Sequence, residues 1–133
     1  MFEMYLNMNH LSVSVHLQNK IYVQMGNSAT GKTYIFSLIK QFCLVNNMIC
    51  CSYDYNCKDI NDIIYEIKNK KALNIILFDN ADLYLTQQLA DFLATLNVPI
   101  VLNSRLKYKF FNTSDLICLH TKYTDNSIIM EDY

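Results

Sequence analysis

Eight consecutive residues, Gly26-Asn27-Ser28-Ala29-Thr30-Gly31-Lys32-Thr33, satisfy the pattern Gly-x4-Gly-Lys-Ser/Thr at every fixed position. The chemistry this pattern serves is the capture of a polyphosphate. A short loop turns its backbone N–H groups toward the anion, and a helix starting at Gly31 adds the positive end of its dipole. Gly26 lets the chain turn sharply, and Gly31 lets backbone and anion approach with no Cβ between them. Lys32 would set a cation on the terminal phosphates, and the Thr33 hydroxyl suits the Mg²⁺ that travels with them. The chain has two glycines in 133 residues, and both stand where the pattern requires them.

The elements needed to position such a loop are legible around it. Ile21 to Met25 reads as a strand running in, and Tyr34 to Val45 reads as a helix leaving, with apolar residues at Ile35, Leu38, Ile39, Phe42 and Val45. Met48 to Tyr53 is a short apolar run of the kind found in interior strands, closed by Asp54, which either faces the site at the strand's carboxyl end or serves as a turn or cap. From Asp59, a plausible N-cap, Ile60, Ile63, Ile64 and Ile67 mark an amphipathic helix. Leu73 to Phe78 is then an apolar strand that delivers Asp79 at its carboxyl end.

With these two stretches the sequence resembles the P-loop NTPases, and among them the ATPases with an added central strand. The resemblance implies a three-layer α/β fold around a mainly parallel sheet of about five strands. It also implies ATP with Mg²⁺ as the bound species. Gly26, Asn27, Ser28, Ala29, Thr30, Gly31, Lys32, Thr33 and Tyr34 would then hold the nucleotide, and Thr33 and Asp79 the metal. Leu89, Phe92, Leu93 and Leu96 give a further helix, followed by a strand over Val98 to Leu102. The polar residue at that strand's end, Asn103, matches the position that senses the terminal phosphate in that division. Many of its members carry Glu directly after the strand-end Asp as the base that activates water. Here the residue is Asn80, and an amide cannot accept a proton. Hydrolysis then falls to Asp82 or to a group from a partner. Arg105, the single arginine, has the planar fork suited to a transferring phosphate, although a surface arginine after a strand is equally ordinary.

The remaining segments frame this core. Leu11, Val13, Val15 and Leu17 alternate with polar residues as in a half-buried strand, with His16 toward solvent. Gln18-Asn19-Lys20 is read as the turn joining it to the strand at Ile21 in an antiparallel N-terminal hairpin. Leu116 to Leu119 is the expected last parallel strand, and Asp125-Asn126-Ser127 a turn that closes a C-terminal hairpin.

Composition narrows the function classes. The length allows one domain, residues 1–133, and no apolar run approaches the roughly 18 residues of a membrane span. A cytoplasmic protein is expected, its five cysteines reduced, with Cys43, Cys50 and Cys51 in the core and no zinc spacing. Net charge is −1, so charge gives no support to a nucleic-acid partner, though small ATPases often assist nucleic-acid processing; Lys68, Lys70 and Lys71 suit a helix C-terminus. GTPases read guanine with Asn-Lys-x-Asp, absent here, so ATP rather than GTP is the expected ligand. One arginine cannot build the lid of a small-molecule kinase. Three functions stay open: an ATPase with slow intrinsic turnover, a non-hydrolysing ATP-binding module docking on a protein partner, and a helper in nucleic-acid processing. A homo-oligomer would supply a neighbouring subunit's arginine.

Overall fold

The computed structural model describes residues 1–25, 31–56, 59–105, 110–111 and 116–131. The first five residues of the phosphate-loop pattern, Gly26, Asn27, Ser28, Ala29 and Thr30, lie outside the described residues. Nine strands are described: β1 Phe2–Met8, β2 Leu11–Leu17, β3 Ile21–Met25, β4 Ile49–Tyr53, β5 Leu73–Phe78, β6 Ile100–Ser104, β7 Leu116–Cys118, β8 His120–Tyr123 and β9 Ser127–Glu131. Three α-helices accompany them: α1 Lys32–Val45, α2 Ile60–Lys68 and α3 Gln87–Leu93, with a 3₁₀ turn at Ala81–Leu83. The result is a mixed α/β fold built on two sheets.

The central sheet has the order β4-β5-β6-β3-β7, and every neighbouring pair in it is parallel. Strands buried on both faces read as continuous apolar runs, and Ile75 to Phe78 and Ile100 to Leu102 are all fully buried. Strand β6 lies between β3, which runs into the loop, and β5, which leads to Asp79. One face of the sheet is covered by α2 and α3, whose Ile63, Ile67, Leu89 and Leu93 pack on Ile76, Phe78, Ile100 and Leu102. Thr86 caps α3, its hydroxyl accepting the Leu89 amide at 3.3 Å. Asp59 occupies the cap position of α2 without a side-chain cap bond.

The second sheet has the order β1-β2-β9-β8. Here the structure corrects the expected N-terminal hairpin. Strand β2 pairs antiparallel with β1, in register from Phe2 opposite Leu17 to Met8 opposite Leu11, and not with β3. The reason is burial. Strand β2 has one apolar face, Val13, Val15 and Leu17, whereas Ile21 to Gln24 in β3 are buried throughout and need a parallel neighbour on each side. A one-sided strand cannot enter an interior sheet without burying Ser12, Ser14 and His16. The C-terminal hairpin forms as expected, β8 antiparallel to β9, and β9 then joins β2 in parallel from Ser12 opposite Ser127 to His16 opposite Glu131. His16 is partly exposed, with Nδ1 2.9 Å from the Glu3 carboxylate.

The inner face of this outer sheet, α1 and the other face of the central sheet share one core. Phe2, Met4, Val15 and Met130 belong to it together with Ile35, Ile39, Tyr22 and Leu77. Phe2 and Phe42 meet edge to face, 6.3 Å between ring centroids at 81°. Helix α1 is thereby held from both sides, and its N-terminus is fixed relative to the ends of β5 and β6.

Candidate functional site

Parallel strands all present their carboxyl ends on one side, and that is where the predicted chemistry meets. Helix α1 opens directly from Gly31, whose φ of 81° lies in the left-handed region that glycine alone adopts without strain. Gly31 has no side chain to cap the helix, so the first-turn N–H groups face the loop side. Lys32 and Thr33 follow immediately, Lys32 only 5% exposed. Burial pulls the Lys32 ammonium below its usual value of 10.5; Asp79 and Asp82 oppose that shift, and Arg105 adds to it.

Asp79 follows the last residue of β5, and its amide still pairs with the Tyr53 carbonyl at 2.8 Å, which extends the sheet ladder by one residue. Its carboxyl is the hub of the site. The Thr33 hydroxyl donates to Oδ2 at 2.8 Å, the Asn103 amide to Oδ1 at 3.2 Å, and the Asn80 backbone N–H to Oδ1 at 3.1 Å. Three residues nominated from separate stretches of sequence therefore converge within hydrogen-bond range. Asn103 is 1% exposed, and its own carbonyl oxygen has no partner among the described residues. A buried amide oxygen left open in a polar pocket is costly unless a ligand or water completes it.

The residue after Asp79 has φ 50° and ψ 39°, a left-handed conformation that asparagine tolerates better than most residues. That bend starts the 3₁₀ turn, held by the Leu83 amide to the Asn80 carbonyl at 3.0 Å and by the Tyr84 hydroxyl to the Asp79 carbonyl at 2.7 Å. The turn brings Asp82 back to the end of β6. Its carboxyl accepts from the Arg105 amide at 3.2 Å and Nε at 3.1 Å, with Nη2 3.1 Å away. The candidate base and the candidate arginine are thus paired with each other inside one chain. Asp82 is nearly sealed, its side chain 3% exposed, while Arg105 is 54% exposed.

Lys32, Thr33, Asp79, Asn80, Asn103 and Arg105 line one small polar pocket, together with Asp82 and Ser104. Ser104, 1% exposed, was passed over in the sequence as part of the polar end of a strand. Gln24 was not singled out in the sequence, whereas Asp54 was read there as a turn or cap residue or as one facing the site. Gln24, near the end of β3, is 5% exposed, its Oε1 has no partner among the described residues, and its side chain opposes the rise that burial gives the Tyr123 hydroxyl on β8. Asp54, at the end of β4, is exposed and accepts the Tyr55 amide, as a turn residue does. Cys43, Cys50, Cys51 and Cys118 are free thiols, and no group of three or more His, Cys, Asp or Glu among the described residues could hold a metal unaided. None of the helices described is long and apolar enough to cross a membrane. No protein-family model matches the chain, and no protein of curated function matches it in sequence.

Proposed function

We propose that the chain is a P-loop ATP-binding protein, Mg²⁺-dependent, with slow intrinsic ATP hydrolysis. The observation that carries this reading is the 2.8 Å hydrogen bond from Thr33 to Asp79. It joins the last residue of the phosphate pattern to an aspartate 46 positions away that the resemblance assigns as its metal partner. The order of the central sheet supports the same reading, since β6 stands between the loop strand and the Asp79 strand as the added-strand division requires. So does Asn103, read as the phosphate sensor and found with its amide on Asp79.

The donor set fits Mg²⁺. A hydroxyl and a carboxyl oxygen are hard ligands, and this ion keeps several waters and takes the rest of its shell from phosphates. Thr33 and Asp79 would hold it, and it would neutralise charge developing on the phosphates. The protein's own contributions are separate. The α1 N-terminus and Lys32 bind and orient the anion, and Lys32, already stripped of water, interacts with phosphate more strongly than an exposed lysine would. Asn103 offers its open oxygen to a water at the end of β6. Asn80 cannot take a proton, and Asp82 is occupied by Arg105, so activation of water is weak in this arrangement. That pairing also favours the second reading, a module that binds ATP without turning it over.

Calorimetry with ATP and Mg²⁺ tests the assignment. The parent protein binds, and Lys32→Ala weakens binding about tenfold or more, because a positioned cation leaves a site holding several negative charges. Equal affinity in two folded proteins would sink it. Multiple-turnover phosphate release, with and without single-stranded DNA, separates the ATPase from the binding module.

A further inference from the structure

We infer that Tyr123 is the platform on which the base of the bound nucleotide stacks. This rests on the nucleotide-binding reading of the loop. Opposite Met130 and Ile128 on β9, both buried, stand Thr121 and Tyr123 on β8. Cross-strand partners point to the same face, so Thr121 and Tyr123 turn inward, toward the edge of the central sheet and the start of α1. A Cβ built on Gly31 would sit 3.8 Å from Cε1 of the Tyr123 ring and 3.9 Å from its hydroxyl. The ring therefore stands about one methyl group away from Gly31, the last glycine of the phosphate pattern.

Two further features separate Tyr123 from an ordinary surface tyrosine. The Gln24 side chain, itself 5% exposed on β3, acts on the Tyr123 hydroxyl and opposes the rise that burial gives the phenol. Yet Tyr123 remains 46% exposed. A ring carried on a paired strand and partly buried is an aromatic surface that loses little conformational freedom when a flat partner lands on its open side. A nucleotide held by its phosphates at Gly31 leaves its sugar and base free to meet an exposed ring near that residue. Tyr123 is the half-exposed ring that the β8–β9 hairpin carries to the neighbourhood of Gly31. Stacking uses the face that every base possesses, so Tyr123 contributes affinity for a nucleoside triphosphate without choosing strongly between adenine and guanine.

The test compares Mg²⁺-ATP with Mg²⁺-tripolyphosphate, which has the phosphates but no base. Tyr123→Leu keeps bulk against Gly31 and removes the aromatic face; Tyr123→Phe keeps the face and removes the hydroxyl. Tyr65→Leu, an exposed tyrosine on α2, serves as control. The expected result is ATP affinity about tenfold weaker in Tyr123→Leu, tripolyphosphate affinity within about twofold of the parent, and Tyr123→Phe close to the parent for both. GTP should lose affinity in parallel with ATP. Equal weakening of both ligands would make Tyr123 a support for the loop and overturn the inference, as would no change in either. Should Tyr123→Leu fail to fold, Tyr123→Met, which fills similar volume without an aromatic face, takes its place, and a folded Tyr123→Met that keeps the parent's preference for ATP over tripolyphosphate overturns the inference. A parent protein that binds neither ligand instead refutes the loop assignment, and the inference falls with it.

Discussion

Asp79 accepts from a hydroxyl, a side-chain amide and a backbone N–H at once, whereas Asp82 accepts only from Arg105 among the contacts described. The two carboxyls should respond differently to loss of charge. Asp79→Asn is expected to weaken Mg²⁺-dependent ATP binding about tenfold or more, and Asp82→Asn to leave affinity within about threefold while slowing any turnover. Titration calorimetry with and without Mg²⁺ reads the first, and steady-state phosphate release the second. Loss of binding in Asp82→Asn alone would place the metal partner three residues further along. Gly31→Ala isolates another residue-scale effect. The space beside Gly31 accepts a methyl group at ordinary contact distance, but φ 81° does not suit alanine, so a loss of about 1 kcal/mol in urea-unfolding stability is expected from backbone strain alone.

Helix α1 shows how an element converts burial into placement. Ile39, fully buried on the face shared with both sheets, should cost about 2–5 kcal/mol when cut to Ala, whereas Leu44, 80% exposed, should cost less than about 0.5 kcal/mol. Urea titration of the two variants measures the contrast, and equal losses would mean that α1 is not packed as described. The parallel strands, α1 and Asp79 were legible because each is marked locally, by an apolar run, a 3.6-residue period or a fixed spacing. Strand β1 carried a signal too, Phe2, Met4, Leu6 and Met8 alternating with Glu3, Tyr5 and Asn7, yet it was passed over when β2 was given to β3. The partner of β2 depends on which sheet needs a one-sided strand, and no local pattern states that. The parallel pairing of β2 with β9, and with it the arrival of Tyr123 beside Gly31, joins opposite ends of the sequence and leaves no trace in either segment. Gln24 was invisible for a related reason: a glutamine ending an apolar strand looks like a boundary until its partner from another sheet is known.

One core runs through the outer sheet, α1 and one face of the central sheet, so the molecule should unfold as a unit. Circular dichroism and tyrosine fluorescence are expected to trace a single coincident urea transition, and two separated transitions would show that the sheets are independent. Cysteine labelling gives a second check. Cys43 and Cys51 are buried, and the interaction with Cys43 together with burial pushes the Cys50 thiol far up, whereas Cys118 is exposed. Iodoacetamide should modify Cys118 in the native protein and reach Cys43, Cys50 and Cys51 only once urea unfolds it, as peptide mass spectrometry would show. The β2–β9 pairing also has a temporal side. On a ribosome the β1–β2 hairpin emerges before β9, with Phe2, Met4, Val13, Val15 and Leu17 uncovered, and β9 is synthesised roughly 5–20 s later at about 5–20 residues per second. During that interval the nascent chain can fold its parallel sheet around the Asp79 strand but cannot close the outer one, and the apolar hairpin is open to chaperones or to other nascent chains. Tyr123 and the strand that seals the hairpin arrive almost together, so the ring reaches the neighbourhood of Gly31 only as β9 joins β2.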